Sequence, residues 1–278
     1  MTGSARIIAR GDVRFQTESF GDPAVLMIMG ATASMLWWPD ALCRAIAGTG
    51  RFVVRYDNRD TGGTTTQEPG APRYTIDDMA GDALAIMDGY GLARAHLVGM
   101  SLGGMIAQLV ALERPDRVLS LTCIGSSAFD EDDADLPPMD PALLAHFQRI
   151  ATLDWSDRAA VVDFHVESFR ISAGPNAAFD EGRARSLAER EYDRALIPQS
   201  AMNHVMLGGG EDWAGRLSEI AVPALVIHGR HDPILSLAHG RKLAAGLPSA
   251  RMVVLDAGHE LNERDWDRIV EEIRTQTA

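Results

Sequence analysis

The sequence predicts an α/β fold: a mostly parallel central sheet with helices on both faces and an inserted helical cap. Three observations predict it. From Val25 to Ile124, short apolar runs alternate with helical patterns, the rhythm of a sheet covered on both faces. Between about Ser126 and Leu217 only helical patterns occur, and the alternation resumes at Ala224. One strand-to-helix junction, Gly99-Met100-Ser101-Leu102-Gly103, sets a serine between two glycines. The 278 residues slightly exceed what one core ordinarily fills. We therefore expect a core in residues 1–125 and 218–278 and a cap in residues 126–217.

In order, Ile7-Ile8-Ala9 and the alternating Val13–Thr17 flank Gly11-Asp12, an edge hairpin. Val25–Met29 is continuously apolar, as a strand buried on both faces should be. A helix is expected over Pro39–Ala47, a strand over Phe52–Tyr56, and a helix over Asp77–Tyr90. Ile76, Met79, Ala83, Ile86 and Met87 share one face of that last helix. The Ala95–Val98 strand feeds the serine junction, and Val118–Ile124 is the next strand. Helical patterns then cover Pro141–Leu153, Ser156–Ile171, Asp180–Ile197 and Ser200–Leu207. Ala224–His228 and Met252–Leu255 read as strands, Ser236–Ala245 and Asp265–Thr275 as helices.

Hydrophobic content of 46% and charged content of 23% are those of a water-soluble globular chain. The net charge of −13, from 26 basic and 39 acidic residues without a basic run, argues against nucleic acid or an acidic membrane as partner. Cys43 and Cys123 lie far apart in apolar segments, which suits free, buried thiols in a reducing compartment. The N-terminal residues lead into no apolar signal region and no run is long enough to span a bilayer, so a cytoplasmic location is expected. The sequence leaves the oligomeric state open, a homo-oligomer included.

Gly-x-Ser-x-Gly between strand and helix is a nucleophile elbow. The serine must adopt a strained backbone conformation there. Side chains two positions before and after would collide, which accounts for Gly99 and Gly103; Gly104 has no such requirement, though it would let the helix pack close to the sheet. A serine hydroxyl needs a base within reach, and the base needs an acid to hold its tautomer. Doubly wound sheets place such groups at the carboxyl ends of strands. After Ala224–His228 comes Gly229-Arg230-His231-Asp232-Pro233, and after Met252–Leu255 comes Asp256-Ala257-Gly258-His259. Ser101 as nucleophile, Asp232 as acid and His259 as base follow, in the chain order this arrangement uses. Asp57, Asp130 and Asp256 are the rival acids. Asp57 sits in a loop better suited to bracing, Asp130 follows another strand end, and Asp256 is too close to His259 along the chain.

The oxyanion needs preorganised donors. Leu102 N–H, directly after the serine, is one; Ala31 N–H, in the loop after Val25–Met29, is the other. Trp37, Trp38, Met100 and His204 are the candidates for lining a substrate pocket. Both tryptophans suit packing beneath the cap better than a pocket wall, and His204 suits a structural place within the cap better than a substrate contact. No histidine pair has a convincing metal spacing, and His228 with His231 lacks a third ligand. Phosphate-binding glycine loops are also missing. No metal or organic cofactor is expected.

Gly99–Gly104, Tyr56-Asp57-Asn58-Arg59-Asp60, Gly229–Pro233 and Gly258-His259 together resemble the α/β-hydrolase superfamily across the whole core. Within it, Ile28–Trp38, Arg55–Gly62 and Val98–Gln108 are similar to a bacterial subgroup holding aclacinomycin methylesterases and macrolide esterases. Ala151-Thr152-Leu153-Asp154-Trp155-Ser156 looks closest to the macrolide esterases. That resemblance implies a serine esterase whose small-molecule substrate is the lactone of a bulky macrocycle, such as a sixteen-membered macrolide antibiotic opened in resistance. A polyketide methylesterase or an acyl-homoserine-lactone hydrolase would use the same triad. A ligand-binding receptor that retains the fold is the alternative from another class.

Overall fold

The computed structural model describes residues 4–20, 24–129, 136–175 and 179–278. Eight strands form one sheet in the order β1-β2-β4-β3-β5-β6-β7-β8. They are β1 (Ser4–Arg10), β2 (Val13–Phe20), β3 (Ala24–Ile28), β4 (Phe52–Tyr56), β5 (Ala95–Met100), β6 (Val118–Ile124), β7 (Ala224–Gly229) and β8 (Ala250–Leu255). β1 and β2 form the antiparallel hairpin, closed by Arg10 opposite Val13 with Gly11 at φ +60°. β2 joins β4 antiparallel, and every pair beyond is parallel.

The helices are α1 (Asp40–Ala47), α2 (Ile76–Gly89), α3 (Leu102–Glu113), α4 (Pro141–Gln148), α5 (Arg158–Ser172), α6 (Glu181–Arg194), α7 (Leu237–Gly246) and α8 (Trp266–Gln276). Strand alternation sends side chains to opposite faces, and each face has its own core. Leu26, Ile28, Val54 and Leu97 pack with α2, α3 and α7 through residues such as Met79, Ile106 and Leu243. Val25, Met27, Val53 and Val98 pack with Leu42 and Ile46 of α1 and Ile269 and Ile273 of α8. All five residues expected on one face of α2 are buried. Thr75 closes that helix's N-terminus through a reciprocal capping box with Asp78. Cys43 and Cys123 are free and buried.

β3 and β5 are neighbours, although the chain visits β4 between them. From β3 the sheet grows outward one way through β4, and from β5 the other way through β6, β7 and β8. Such a switch point leaves a crevice at the carboxyl ends of the strands. The loop after β3 and the serine after β5 therefore face each other across it.

Between β6 and β7 the described elements are helical. Val162, Val166, Phe169, Ala184 and Ala188 of α5 and α6 form a third, smaller core with Trp37 packed against it. α4 is shorter than the pattern predicts, passing into a 3-10 turn at Arg149–Thr152. Pro198–Met206 is also 3-10 rather than α. Its buried Ser200 and Asn203 fall three apart, the period of that helix. Both reach into the core: Ser200 Oγ donates to Gln67 O at 2.6 Å, and Asn203 Nδ2 to Asp60 Oδ2 at 2.9 Å. Among the described residues, no helix is long and apolar enough to cross a membrane.

Candidate active site

Ser101 follows β5 and caps α3 with φ +51° and ψ −121°, a conformation a non-glycine residue rarely adopts. The turn is tight because backbone meets backbone. A Cβ at Gly99 would run into the Gly103 carbonyl, and one at Gly103 into the Ile28 carbonyl. Gly104 is held more tightly than the close helix packing expected of it. A Cβ there would stand 2.5 Å from Ser126 Oγ and 2.6 Å from Ser126 Cβ, so this glycine is required too. Ser126 Oγ in turn donates to Ser101 O at 2.8 Å, and Ser101 N–H donates to Ile124 O at 2.9 Å. The end of β6 and the loop just after it thus hold the serine's backbone at both its N–H and its carbonyl.

Asp232 follows β7 and His259 follows β8. Asp232 Oδ2 accepts from His259 Nδ1 at 2.6 Å, and both side chains are buried. Asp232 Oδ1 accepts from the Ile234 and Leu235 N–H groups, each at 2.9 Å. Burial alone would push the Asp232 carboxyl up. The charge and hydrogen bond of His259, the nearby His228 and the Leu235 N–H outweigh it and leave its pKa lowered. Burial pulls His259 down, but the Asp232 charge and hydrogen bond, helped by Glu260, raise it above its ordinary value. The ring is reached through Gly125, at φ +51°, where a Cβ would stand 3.3 Å from His259 Nδ1 and Cε1. No hydrogen bond joins Ser101 Oγ to His259 among the described residues, a contact that commonly closes only with substrate bound.

The loop leaving β3 passes the serine closely: a Cβ on Gly30 would lie 3.0 Å from Ser101 Cβ. Ala31 is next in that loop. Leu102 is the first residue of α3, and its N–H is one of those a helix leaves without an internal partner. Of the four pocket candidates, the structure brings two to a cavity and not the others. Trp37, Met100, Phe169, Leu187, Glu260 and Leu261 are among the residues lining a space of about 210 Å³, and Met100 and Glu260 are the chain neighbours of Ser101 and His259. Trp37 and Phe169 meet with ring centroids 4.6 Å apart. Trp38 instead is 0% exposed, packed with α1 and β3. His204 is buried with both ring nitrogens engaged: Nδ1 accepts from Thr32 N–H at 3.0 Å, and Nε2 bonds Arg59 O at 2.7 Å. Neither side chain reaches the cavity.

The rival acids are spoken for. Asp57 is fully buried and accepts from Met35 N–H at 2.9 Å and Gly63 N–H at 3.0 Å, with Arg194 across from it at 2.5 Å. Asp256 Oδ1 pairs with His231 Nε2 at 2.8 Å. Asp130 lies outside the described residues. Among those described, no cluster of His, Cys, Asp or Glu is arranged to hold a metal ion.

Two acidic groups at the site escaped sequence reasoning. Glu260 lines the cavity beside His259, and its Oε1 is buried without a hydrogen-bond partner. Burial pushes its carboxyl up to about 7, with the charges of His259 and Arg183 opposing. Its place next to His259, the candidate base, is a signal the sequence offers. Glu191 of α6 accepts from Ser34 N–H at 2.8 Å and from Ser34 Oγ at 2.7 Å. Burial raises it to about 7 as well, against the pull of the Ser34 bonds. Nothing local in the sequence marks that contact.

The family model for the alpha/beta hydrolase fold matches residues 23–265. The chain is 33% identical to rhodomycin D methylesterase DnrP of Streptomyces peucetius, over 92% of each chain. It is 32% identical to rhodomycin D methylesterase DauP of Streptomyces sp. (strain C5), again over 92% of each. Among solved structures, an esterase from Exiguobacterium antarcticum superposes with a TM-score of 0.80 over 99% of both chains. At 19% identity that likeness speaks to the fold alone.

Proposed function

The chain belongs to the α/β-hydrolase family, and from that premise we propose that it is a serine carboxylic-ester hydrolase acting on the methyl ester of a bulky polyketide-type acid. Ser101 attacks the ester carbonyl while His259 Nε2 takes the hydroxyl proton. Asp232 holds the Nδ1–H tautomer and stabilises the imidazolium that forms. The Ala31 and Leu102 N–H groups receive the developing oxyanion. The tetrahedral adduct collapses, the alkoxide takes the proton from His259 and leaves as the alcohol, and the acyl group stays on Ser101. Water, deprotonated by His259, then attacks the acyl-enzyme and releases the acid and the free serine. Residues 126–217 act as a cap on the core formed by 1–125 and 218–278, and the substrate is selected in a pocket to which the core gives Trp37 and Met100 and the cap gives Phe169.

The observation that carries the chemistry is the Asp232–His259 hydrogen bond at the strand ends beside the Ser101 elbow. The substrate class rests on the two methylesterase relatives, which match 92% of the chain. Opening of a macrolide lactone is the second reading, supported by the likeness of Ala151–Ser156 to the macrolide esterases.

The test is mass spectrometry of wild type and Ser101→Ala after incubation with a polycyclic polyketide methyl ester, a sixteen-membered macrolide, an acyl-homoserine lactone and a p-nitrophenyl ester. The proposal expects the methyl ester to lose the mass of one methylene with wild type only. A macrolide that gains one water while the methyl ester stays intact transfers the assignment to the lactonase. Wild type that binds but turns over none of the four rejects the enzyme in favour of a receptor.

A further inference from the structure

The turn that follows Ala31 is strained and is held from outside the core. Thr32 sits at φ +63°, in the left-handed region that a β-branched residue seldom enters. A conformation of that kind persists only where its surroundings over-determine it. Here the surroundings are largely the helical insert between β6 and β7. Thr32 N–H donates to His204 Nδ1 at 3.0 Å. Ser34 gives both its N–H and its hydroxyl to Glu191. Met35 N–H donates to Asp57 Oδ1 at 2.9 Å, and Asp57 is itself gripped by Arg194 through bonds of 2.9 and 2.5 Å. His204, Glu191 and Arg194 all belong to the insert, more than 130 residues along the chain from the turn they hold. The same insert also reaches the base. The Gly258 and His259 N–H groups donate to Ala173 O and Ser172 O at the end of α5, at 3.1 and 2.8 Å.

We propose that Glu191 and His204 are positioning residues for the reaction: from the insert they hold the Thr32–Met35 turn, and through it the Ala31 N–H, where the oxyanion forms. The inference rests on the hydrolase reading above. It makes the insert part of the catalytic geometry as well as the wall of a pocket. Oxyanion donors act through preorganisation, so a donor free to wander loses its effect in the transition state while ground-state binding is little changed. Loosening the turn therefore lowers kcat and spares KM for a substrate too small to touch the insert.

The experiment compares wild type, Glu191→Leu and Glu191→Gln as full chains on p-nitrophenyl acetate, with inhibition by a trifluoromethyl ketone that forms a tetrahedral adduct on serine. Glu191→Leu is expected to lower kcat by roughly 10- to 100-fold, somewhat less than outright removal of a donor. KM should stay within about twofold, and adduct affinity should fall by the same factor as kcat. Glu191→Gln, which keeps an acceptor for Ser34 N–H and meets Ser34 Oγ with an amide N–H once the hydroxyl turns to accept, should restore most of the loss. A folded Glu191→Leu with unchanged kcat, or with raised KM at constant kcat, overturns the proposal. Should that variant fail to fold, His204→Phe removes the acceptor of Thr32 N–H and is judged by the same split. Wild type inert toward every ester overturns the hydrolase reading, and this proposal with it. An active wild type with an unaffected Glu191→Leu overturns the proposal alone.

Discussion

Asp232 Oδ2 stands 2.6 Å from His259 Nδ1, across the ends of the adjacent strands β7 and β8. The other carboxylate oxygen is pinned by two backbone N–H groups. A carboxylate so fixed can only accept, which sets the neutral ring's proton on Nδ1 and leaves Nε2 with the lone pair. The pair therefore orients Nε2 for the proposed role of base before any substrate arrives.

Replacing Asp232 by asparagine removes that orientation. Asp232→Asn should lower kcat by about 10⁴-fold, the scale seen when a triad acid loses its charge but keeps its shape. The pH profile should move as well. His259 is raised in the native site, so wild-type kcat/KM should fall, as pH drops, through a value above the ordinary 6.5. Without the Asp232 charge, burial acts with only Glu260 against it, and this acidic limb moves to lower pH. Asp130→Asn serves as the control. A larger loss in Asp130→Asn than in Asp232→Asn would reassign the acid.

The serine makes a paired prediction. Ser101→Ala and Ser101→Gly should both lose at least ~10⁴-fold in kcat. Their stabilities should differ, because φ +51° is strained for alanine and free for glycine. Ser101→Gly should unfold at higher denaturant than Ser101→Ala, by on the order of 1 kcal/mol in extrapolated stability. Equal midpoints would mean that the elbow stores no strain at this residue.

What could be read from the sequence at this site was local. The elbow shows itself because a strained turn excludes side chains at Gly99 and Gly103, and strand ends point to Asp232 and His259. Contacts between distant segments leave no such mark. Ser34 and Glu191 are 157 residues apart, and neither lies in a motif that demands the other. The same blindness explains Trp38 and His204. An aromatic residue near a catalytic loop suits either pocket or core, and only the packing of α1 and the bonds to Thr32 and Arg59 decide it. Gly104 was underestimated because its neighbour, Ser126, comes from the end of another strand.

Gly104→Ala tests that last contact. The new methyl group meets Ser126 near 2.5 Å, and neither α3 nor β6 can retreat without disturbing the sheet face. Destabilisation of about 1–3 kcal/mol is expected, as for other overpacked core sites. Activity should fall too, because Ser126 Oγ donates to the Ser101 carbonyl. Urea unfolding with an unchanged m-value, alongside kcat on a p-nitrophenyl ester, reads both effects. A variant as stable and active as wild type would show that the helix shifts freely.

Glu260 offers a titration that separates stability from catalysis. Its carboxyl is raised from 4.5 to about 7 by burial, and its Oε1 has no hydrogen-bond partner. Between those two values the folded protein holds a proton that the unfolded chain has released. Its contribution to stability is therefore complete at low pH and is lost as pH rises through the folded-state value. Glu260→Gln is neutral throughout and escapes the loss. Its melting temperature relative to wild type should climb by a few degrees between about pH 5 and about pH 8. Any fixed cost of the buried amide cancels in that comparison. The same substitution removes a negative charge that favours the His259 imidazolium, so the acidic limb of kcat/KM should move to lower pH while its plateau stays near wild type. A melting difference independent of pH would mean that Glu260 is ionised in the folded protein as it is in the unfolded chain, with the cavity wall solvating it despite its burial.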